Sequence, residues 1–215
     1  MSSQGPSTSP NVWAVVVAAG SGSRFGGPKQ YADLGGRRVV DWSIEAARSV
    51  ADGVVLVVPE GSPSDETSVE AVVAGGDSRS ASVRAGLAAV PPEAEVVLVH
   101  DGARPLASRD LFRAVVDAVI TGAEAAVPVV SLVDTVTDAH GVTVDREQLR
   151  AVQTPQGFPA ALLRRLHRSE PEATDDASLV VAVGGRWRAV QGERWNIKIT
   201  EVEDLAVAAG LLERQ

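Results

Sequence analysis

Apolar residues arrive in short unbroken runs, separated by amphipathic stretches. The runs at residues 12–18, 53–58, 69–74, 95–99 and 125–130 are rich in valine and do not alternate with polar positions. Such runs predict strands buried on both faces, as in a parallel sheet with helices on each side. Residues 41–50, 80–90 and 108–121 predict helices between them, the first with Trp42, Ile44 and Ala46 among its apolar positions and the third capped by Ser108. Pro59 stops the second strand. Further helices are predicted over 160–168, 175–183 and 202–212, with a short strand over 187–190. Strand and helix alternate, so the class is α/β, with a mostly parallel sheet flanked by helices. Ligands of open sheets lie beyond the carboxyl ends of the strands. The loop after Ala18 and the loop His100-Asp101-Gly102-Ala103-Arg104-Pro105 are both such ends. No internal repeat interrupts the pattern.

Residues 131–153 depart from it. They are polar, hold the turn Asp138-Ala139-His140-Gly141, and alternate through Val133, Thr135 and Thr137, then Val142 and Val144. This predicts a β-hairpin arm protruding from the main sheet. A lone two-stranded ribbon is marginal in water, so the arm is expected to pack on a second subunit as a dimerisation element. A chain of 215 residues suits a single domain, here 11–215, preceded by a disordered Ser/Pro-rich tail over 1–10.

The first apolar run empties into a loop rich in glycine. It reads Ala18-Ala19-Gly20-Ser21-Gly22-Ser23-Arg24-Phe25-Gly26-Gly27-Pro28-Lys29-Gln30, with two cations and no acid. Glycines let backbone N–H groups approach phosphate oxygens, and Arg24 and Lys29 can neutralise charge that develops there. The loop is not a Walker A sequence, since no Gly-Lys-Ser/Thr follows. It is also a poor dinucleotide fingerprint, because Phe25 stands where the third glycine belongs.

Charge and composition narrow the field. A net charge of −8 argues against nonspecific nucleic-acid binding and against an anionic membrane surface. No cysteine is present, which excludes disulfides and thiolate metal sites, and the scattered His100, His140 and His167 do not suggest zinc. The tail carries no Lys or Arg, and the apolar run after it is too short to span a bilayer, so cytoplasmic residence is the expectation. Of 20 basic residues only Lys29 and Lys198 are lysines: either a compositional bias toward arginine leaves two at random, or both positions need a compact ammonium that a guanidinium fork cannot replace.

Several motifs, in order and with compatible spacing, resemble one family. Ala18-Ala19-Gly20-x-Gly22-x-Arg24 with Pro28-Lys29-Gln30-Tyr31 is followed by Gly75-Gly76-Asp77-Ser78-Arg79 with Ser82-Val83. Val99-His100-Asp101-Gly102-Ala103-Arg104-Pro105, Asp134-Thr135 and Val144-Asp145-Arg146 come next. Gln153-Thr154-Pro155-Gln156-Gly157-Phe158, Thr174-Asp175-Asp176-Ala177 and Asn196-Ile197-Lys198-Ile199-Thr200 complete the set. Together they resemble the 2-C-methyl-D-erythritol 4-phosphate cytidylyltransferases. Gly102 departs from the alanine common there, a change expected to alter backbone freedom and not chemistry.

The resemblance implies a Rossmann-like fold and a Mg²⁺-assisted transfer from CTP to methylerythritol phosphate, with release of pyrophosphate, in the non-mevalonate isoprenoid pathway. It also implies residue roles. Arg24 and Lys29 would hold the triphosphate, and Lys198 the α-phosphate. Ala18, Ala19, Gly20, Gly76, Asp77 and Ser82 would line the nucleotide. Asp101, Arg104, Thr135 and Arg146 would hold the acceptor, with Thr135 and Arg146 reaching across a homodimer and Asp101 placing the metal directly or through water. His100 is expected to be a hydrogen-bonded structural side chain. The rival readings are a ribitol 5-phosphate cytidylyltransferase, a non-catalytic nucleotide-binding or dimerisation subunit, and a dinucleotide oxidoreductase.

Overall fold

A computed structural model describes residues 10–62 and 67–214. The tail expected to be disordered lies outside the described residues except for Pro10. The first apolar run forms β1 (Val12–Val17), and after the glycine loop β2 (Asp33–Leu34) and β3 (Arg37–Arg38) pair as a small ribbon. Then come α1 (Val39–Arg48), β4 (Gly53–Val58), β5 (Ala71–Ala74), α2 (Arg79–Ala89) and β6 (Val96–Asp101). Helix α3 (Arg109–Ile120) leads to β7 (Ala125–Ser131), and the arm follows with β8 (Val136–Thr137) and β9 (Thr143–Val144). The chain returns through β10 (Arg150–Val152) and β11 (Gln156–Pro159), and closes with α4 (Ala160–His167), α5 (Ala177–Ala182), β12 (Trp187–Gln191) and α6 (Glu203–Leu212).

Among the described residues eight strands make the main sheet, with β11, β6, β1, β4 and β5 as successive neighbours. Next to β11 lies β7, which also pairs with β10 and β12. The pairings β6–β1, β1–β4, β4–β5 and β7–β12 are parallel, while β10 and β11 run antiparallel to their neighbours. The continuous apolar runs are explained by helices on both faces. Ala14, Val16, Leu56 and Leu98 pack with Ile44 of α1 and Phe112 of α3, whereas Val15, Val57 and Val97 pack with Val83 of α2 and Leu163 of α4. Every residue of β4 and β6 is buried. Each fully buried Val or Leu contributes about 1.5–3 kcal/mol, so these strands carry much of the stability of the frame. A smaller cluster of Leu34, Val39, Leu106, Ile199 and Ala208 ties the β2–β3 ribbon to α6 and pins the segment before it.

Three sequence expectations need correction. Strand β6 runs to Asp101, beside Val17 of β1, so His100 and Asp101 are strand residues and not part of the following loop. Strand β11 was not foreseen: it is short, holds Gly157 and Pro159, and has no periodicity. In the arm, Val136 stands opposite Val144 and Thr137 opposite Thr143, so the valines share a face and Thr137 does not join them. The arm itself is exposed throughout residues 137–148. Among the described residues no helix is long and apolar enough to cross a membrane.

Candidate active site

The carboxyl ends of β1, β5 and β6 open on one cleft of ≈ 450 Å³. The glycine loop supplies Ala18, Ala19, Gly20, Ser21, Lys29 and Gln30; the turn into α2 supplies Gly76, Asp77, Ser78, Arg79 and Ser82; and β6 and its loop supply Asp101 and Ala103. Lys198 completes the wall from the far end of the chain. The loop folds back on itself because Gly22 adopts φ +66, and a Cβ there would stand 1.9 Å from the Gly27 carbonyl oxygen. Phe25 and Gly27 both donate N–H bonds to the Gly22 carbonyl, and this closure returns the chain to Lys29.

The two lysines are brought together, since Lys29 bonds the residue next to Lys198. Lys29 Nζ donates to the Ile199 carbonyl at 2.6 Å, and Lys198 Nζ donates to Asp101 Oδ2 at 2.8 Å. Burial lowers the Lys29 pKa, and the nearby positive charges of Lys198 and Arg24 lower it further. Lys29 therefore gains from an arriving anion, which would relieve that repulsion.

Asp101 is the buried carboxylate of the cleft, whereas Asp77, which also lines it, is exposed. Beyond Lys198, Arg79 Nε lies 3.6 Å from Oδ1 and Arg104 Nε 3.7 Å from Oδ2. Burial alone would raise its pKa, but Lys198, Arg79 and Arg104 hold the carboxyl far below the usual range. Behind it, a chain of hydrogen bonds fixes the backbone. The Arg104 carbonyl can only accept, so His100 Nε2 carries the proton of their 3.2 Å bond. Nδ1 then accepts from the Thr154 hydroxyl at 3.1 Å, and Thr154 Oγ1 accepts the Asp101 N–H at 3.0 Å. His100 is fully buried, which pushes its pKa down to about 4, and its ring centroid lies 4.9 Å from that of Phe112. This is the structural side chain expected.

The cleft thus brings together Ala18, Ala19, Gly20, Lys29, Gly76, Asp77, Ser82, Asp101 and Lys198. Arg24 does not line it; its side chain is exposed, and its influence there is the charge felt by Lys29. Arg104 also lies behind the wall, donating to the Asn196 carbonyl at 2.8 Å. Thr135 and Arg146 sit on the exposed arm, with Arg146 in a 3₁₀ turn outside the ribbon and donating to the Val133 carbonyl. Six lining residues were given no role from the sequence: Val17, Ser21, Gln30, Ser78, Arg79 and Ala103. Arg79 opens α2 just after its cap Ser78, with no acid in the first turn, and that was the available signal. Gly102 has no left-handed φ, so backbone freedom is not its distinction; a Cβ there would stand 3.1 Å from Ala18 Cβ, so its smallness makes room for the glycine loop.

The sequence matches the family described as IspD, 2-C-methyl-D-erythritol 4-phosphate cytidylyltransferase, over residues 12–214. The chain belongs to this family. A cytidylyltransferase of this name from Rhodococcus opacus (strain B4) is 44% identical over 218 residues, covering 94% of this chain and 95% of that protein. Another from Desulforamulus reducens is 42% identical over 230 residues, with 95% and 97% covered. The crystal structure of the Thermus thermophilus cytidylyltransferase superposes with a TM-score of 0.82 at 38% identity, covering 93% of this chain and 98% of that one. All the residues that line the cleft fall within the matched span of the cytidylyltransferase family.

Proposed function

We propose that this chain transfers the cytidylyl group of CTP to 2-C-methyl-D-erythritol 4-phosphate and releases pyrophosphate, a step of non-mevalonate isoprenoid synthesis. The supporting observation is the meeting of Lys29, Lys198 and Asp101 with a folded-back glycine loop in one cleft. A phosphate oxygen of the acceptor attacks the α-phosphorus of CTP. The bond to the bridging oxygen breaks, and its electron pair leaves with pyrophosphate. The attacking phosphate is already ionised, so no general base is required. Catalysis rests on holding two anions in line and on placing fixed positive charge where negative charge gathers.

In this reading Ala18, Ala19, Gly20, Gly76, Asp77 and Ser82 border the nucleoside and its first phosphate. Lys29 meets the departing pyrophosphate and Lys198 the α-phosphate, while Arg24, exposed outside the cleft, adds positive charge felt at Lys29. Lys198 must leave Asp101 to do so. Its side chain is 42% exposed and free to swing, while Arg79 and Arg104 stay beside the carboxylate at 22% and 12%.

Among the described residues no group of acids and histidines is gathered to cage a metal. Asp101, kept ionised in the cleft, fits a Mg²⁺ held mainly by the triphosphate and water, to which it would give one direct or water-bridged contact. Such an ion would neutralise part of the triphosphate charge.

The arm belongs to the same proposal. Val133 and Val142 are 64% and 63% exposed, and Thr135 and Arg146 line no part of their own cleft. A symmetric homodimer in which each arm covers the neighbour would bury those valines and bring Thr135 and Arg146 to the neighbour's acceptor phosphate, which arginine forks suit. Cytoplasmic residence completes the reading.

The test is pyrophosphate release by purified protein with CTP, Mg²⁺ and either methylerythritol phosphate or ribitol 5-phosphate. Release dependent on methylerythritol phosphate is expected. Faster release with ribitol 5-phosphate, or none with either, overturns the assignment.

A further inference from the structure

Behind the cleft lies a buried charge chain that the reaction above does not use. Arg79 Nη1 donates to Asp176 Oδ2 at 2.7 Å, and the other oxygen of that carboxylate accepts from His167 Nε2 at 2.9 Å. The Asp176 side chain is 1% exposed and that of His167 4%. Three features set this chain apart from ordinary packing. First, Asp176 is the N-cap of α5, yet its side chain makes no capping bond; Asp175 instead accepts the Ser178 N–H at 2.9 Å. A capping bond is worth about 1 kcal/mol, and Asp176 forgoes it for a partner far away in sequence. Second, Arg79 sits in the first turn of α2, at the positive end of the helix dipole, where a cation is disfavoured. Third, buried ion pairs are weak stabilisers once desolvation is counted, so stability gives little reason to build one there. What the chain does achieve is placement. The guanidinium is held on the cleft wall with its Nε toward Asp101.

We propose that Asp176, backed by His167, is a positioning residue that holds Arg79 on the cleft wall as a fixed cation for bound phosphate. The helix N-terminus and Arg79 then present one positive corner to the cleft. When Lys198 leaves Asp101 for a phosphate, Arg79 cannot follow, because Asp176 anchors it. Asp101 keeps a counter-ion, and the anionic ligand is not repelled by a bare carboxylate. This rests on the polyphosphate reading of the cleft, so the experiment reads binding as well as turnover.

Dissociation constants for CTP and for inorganic pyrophosphate, without metal, are measured for wild type, Arg79→Gln, Asp176→Asn and the double variant, with turnover and thermal melts in parallel. Arg79→Gln and Asp176→Asn are each expected to weaken binding about tenfold, the scale of one charge-assisted hydrogen bond, and the double variant to lose no more. His167→Ala should weaken binding in the same direction, and His167→Gln should restore it by donating its amide to Asp176. Asp176→Asn that melts earlier yet binds within about twofold of wild type overturns the proposal, as do losses that multiply in the double variant. Should Asp176→Asn not fold, the His167 pair decides: equal binding by the Ala and Gln variants refutes positioning. Wild type that binds pyrophosphate but not CTP sinks the cytidylyl reading while leaving this comparison intact.

Discussion

Replacing Asp101 with asparagine isolates the electrostatics of the cleft, because the shape is kept and the backbone N–H that bonds Thr154 is untouched. Its three cationic neighbours respond differently. Lys198 is 42% exposed, so its ion pair contributes at most about 1 kcal/mol. Arg79 retains Asp176 at 2.7 Å. Arg104 is the one left exposed to the loss. Its side chain is 12% exposed, its Nε has no hydrogen-bond partner among the described residues, and Asp101 is the carboxylate beside it at 3.7 Å. Orphaning a buried charge costs about 3–5 kcal/mol. Because the Arg104 guanidinium still donates to the Asn196 carbonyl, about 2–3 kcal/mol is the expected loss. For a chain of this size that is a fall in Tm of about 4–12 °C. Binding should move the other way. Removing one negative charge from a solvent-screened cleft and freeing Lys198 should tighten metal-free pyrophosphate binding by about 1.4 kcal/mol, or tenfold. The assay is differential scanning calorimetry with and without pyrophosphate. Asp101→Asn should start lower and gain more from the ligand than wild type does. An unchanged Tm, or an equal ligand-induced rise, would refute the account of Asp101 as the counter-ion that holds the cleft together.

Other outcomes follow from the same geometry. Lys198→Met should cut turnover about 10²–10³-fold while CTP affinity by calorimetry changes little, since in the free protein this ammonium is occupied by Asp101; a matched loss in both would move Lys198 from the transition state to ground-state binding. His100 is held at a pKa of about 4, below its usual 6.5, so the unfolded chain takes up the proton first and stability falls as pH drops from 6.5 toward 4. The fall should reach about 3 kcal/mol by urea denaturation, and His100→Gln should flatten that slope; an identical slope in the variant rejects the origin. Lys29→Ala and Arg146→Ala, each inactive alone, should regain about a quarter of wild-type activity after subunit exchange, since half the dimers then hold one complete site. No recovery despite demonstrated exchange means that each site is built from one chain.

The sheet was legible because β1, β4, β6 and β7 are continuously apolar, a pattern that only two-sided burial explains. The arm was legible for the opposite reason, a polar alternating stretch with a turn at Asp138–Gly141. Strand β11 was not, because four residues with a glycine and a proline leave no period to read. The cleft divides in the same way. Lys29 and Lys198 stood out in a chain whose other cations are arginines, and Asp101 ended an apolar run. Arg79 was one arginine among many. Its partner Asp176 lies 97 residues on, in a helix whose own sequence suggests a cap, and nothing local signals that the carboxylate turns away.

The two antiparallel strands β10 and β11 also bear on how this molecule can be re-engineered. Thr154 lies between β10, at the root of the arm, and β11, which pairs with β6 from Gln156 opposite Val99. Its hydroxyl meets His100 and the Asp101 amide. The tip of the projection can therefore be shortened, extended or exchanged for that of a relative with β6 undisturbed, provided the graft stops before Arg150. A splice even a few residues further would pull directly on the carboxylate, like a lever whose fulcrum is Thr154.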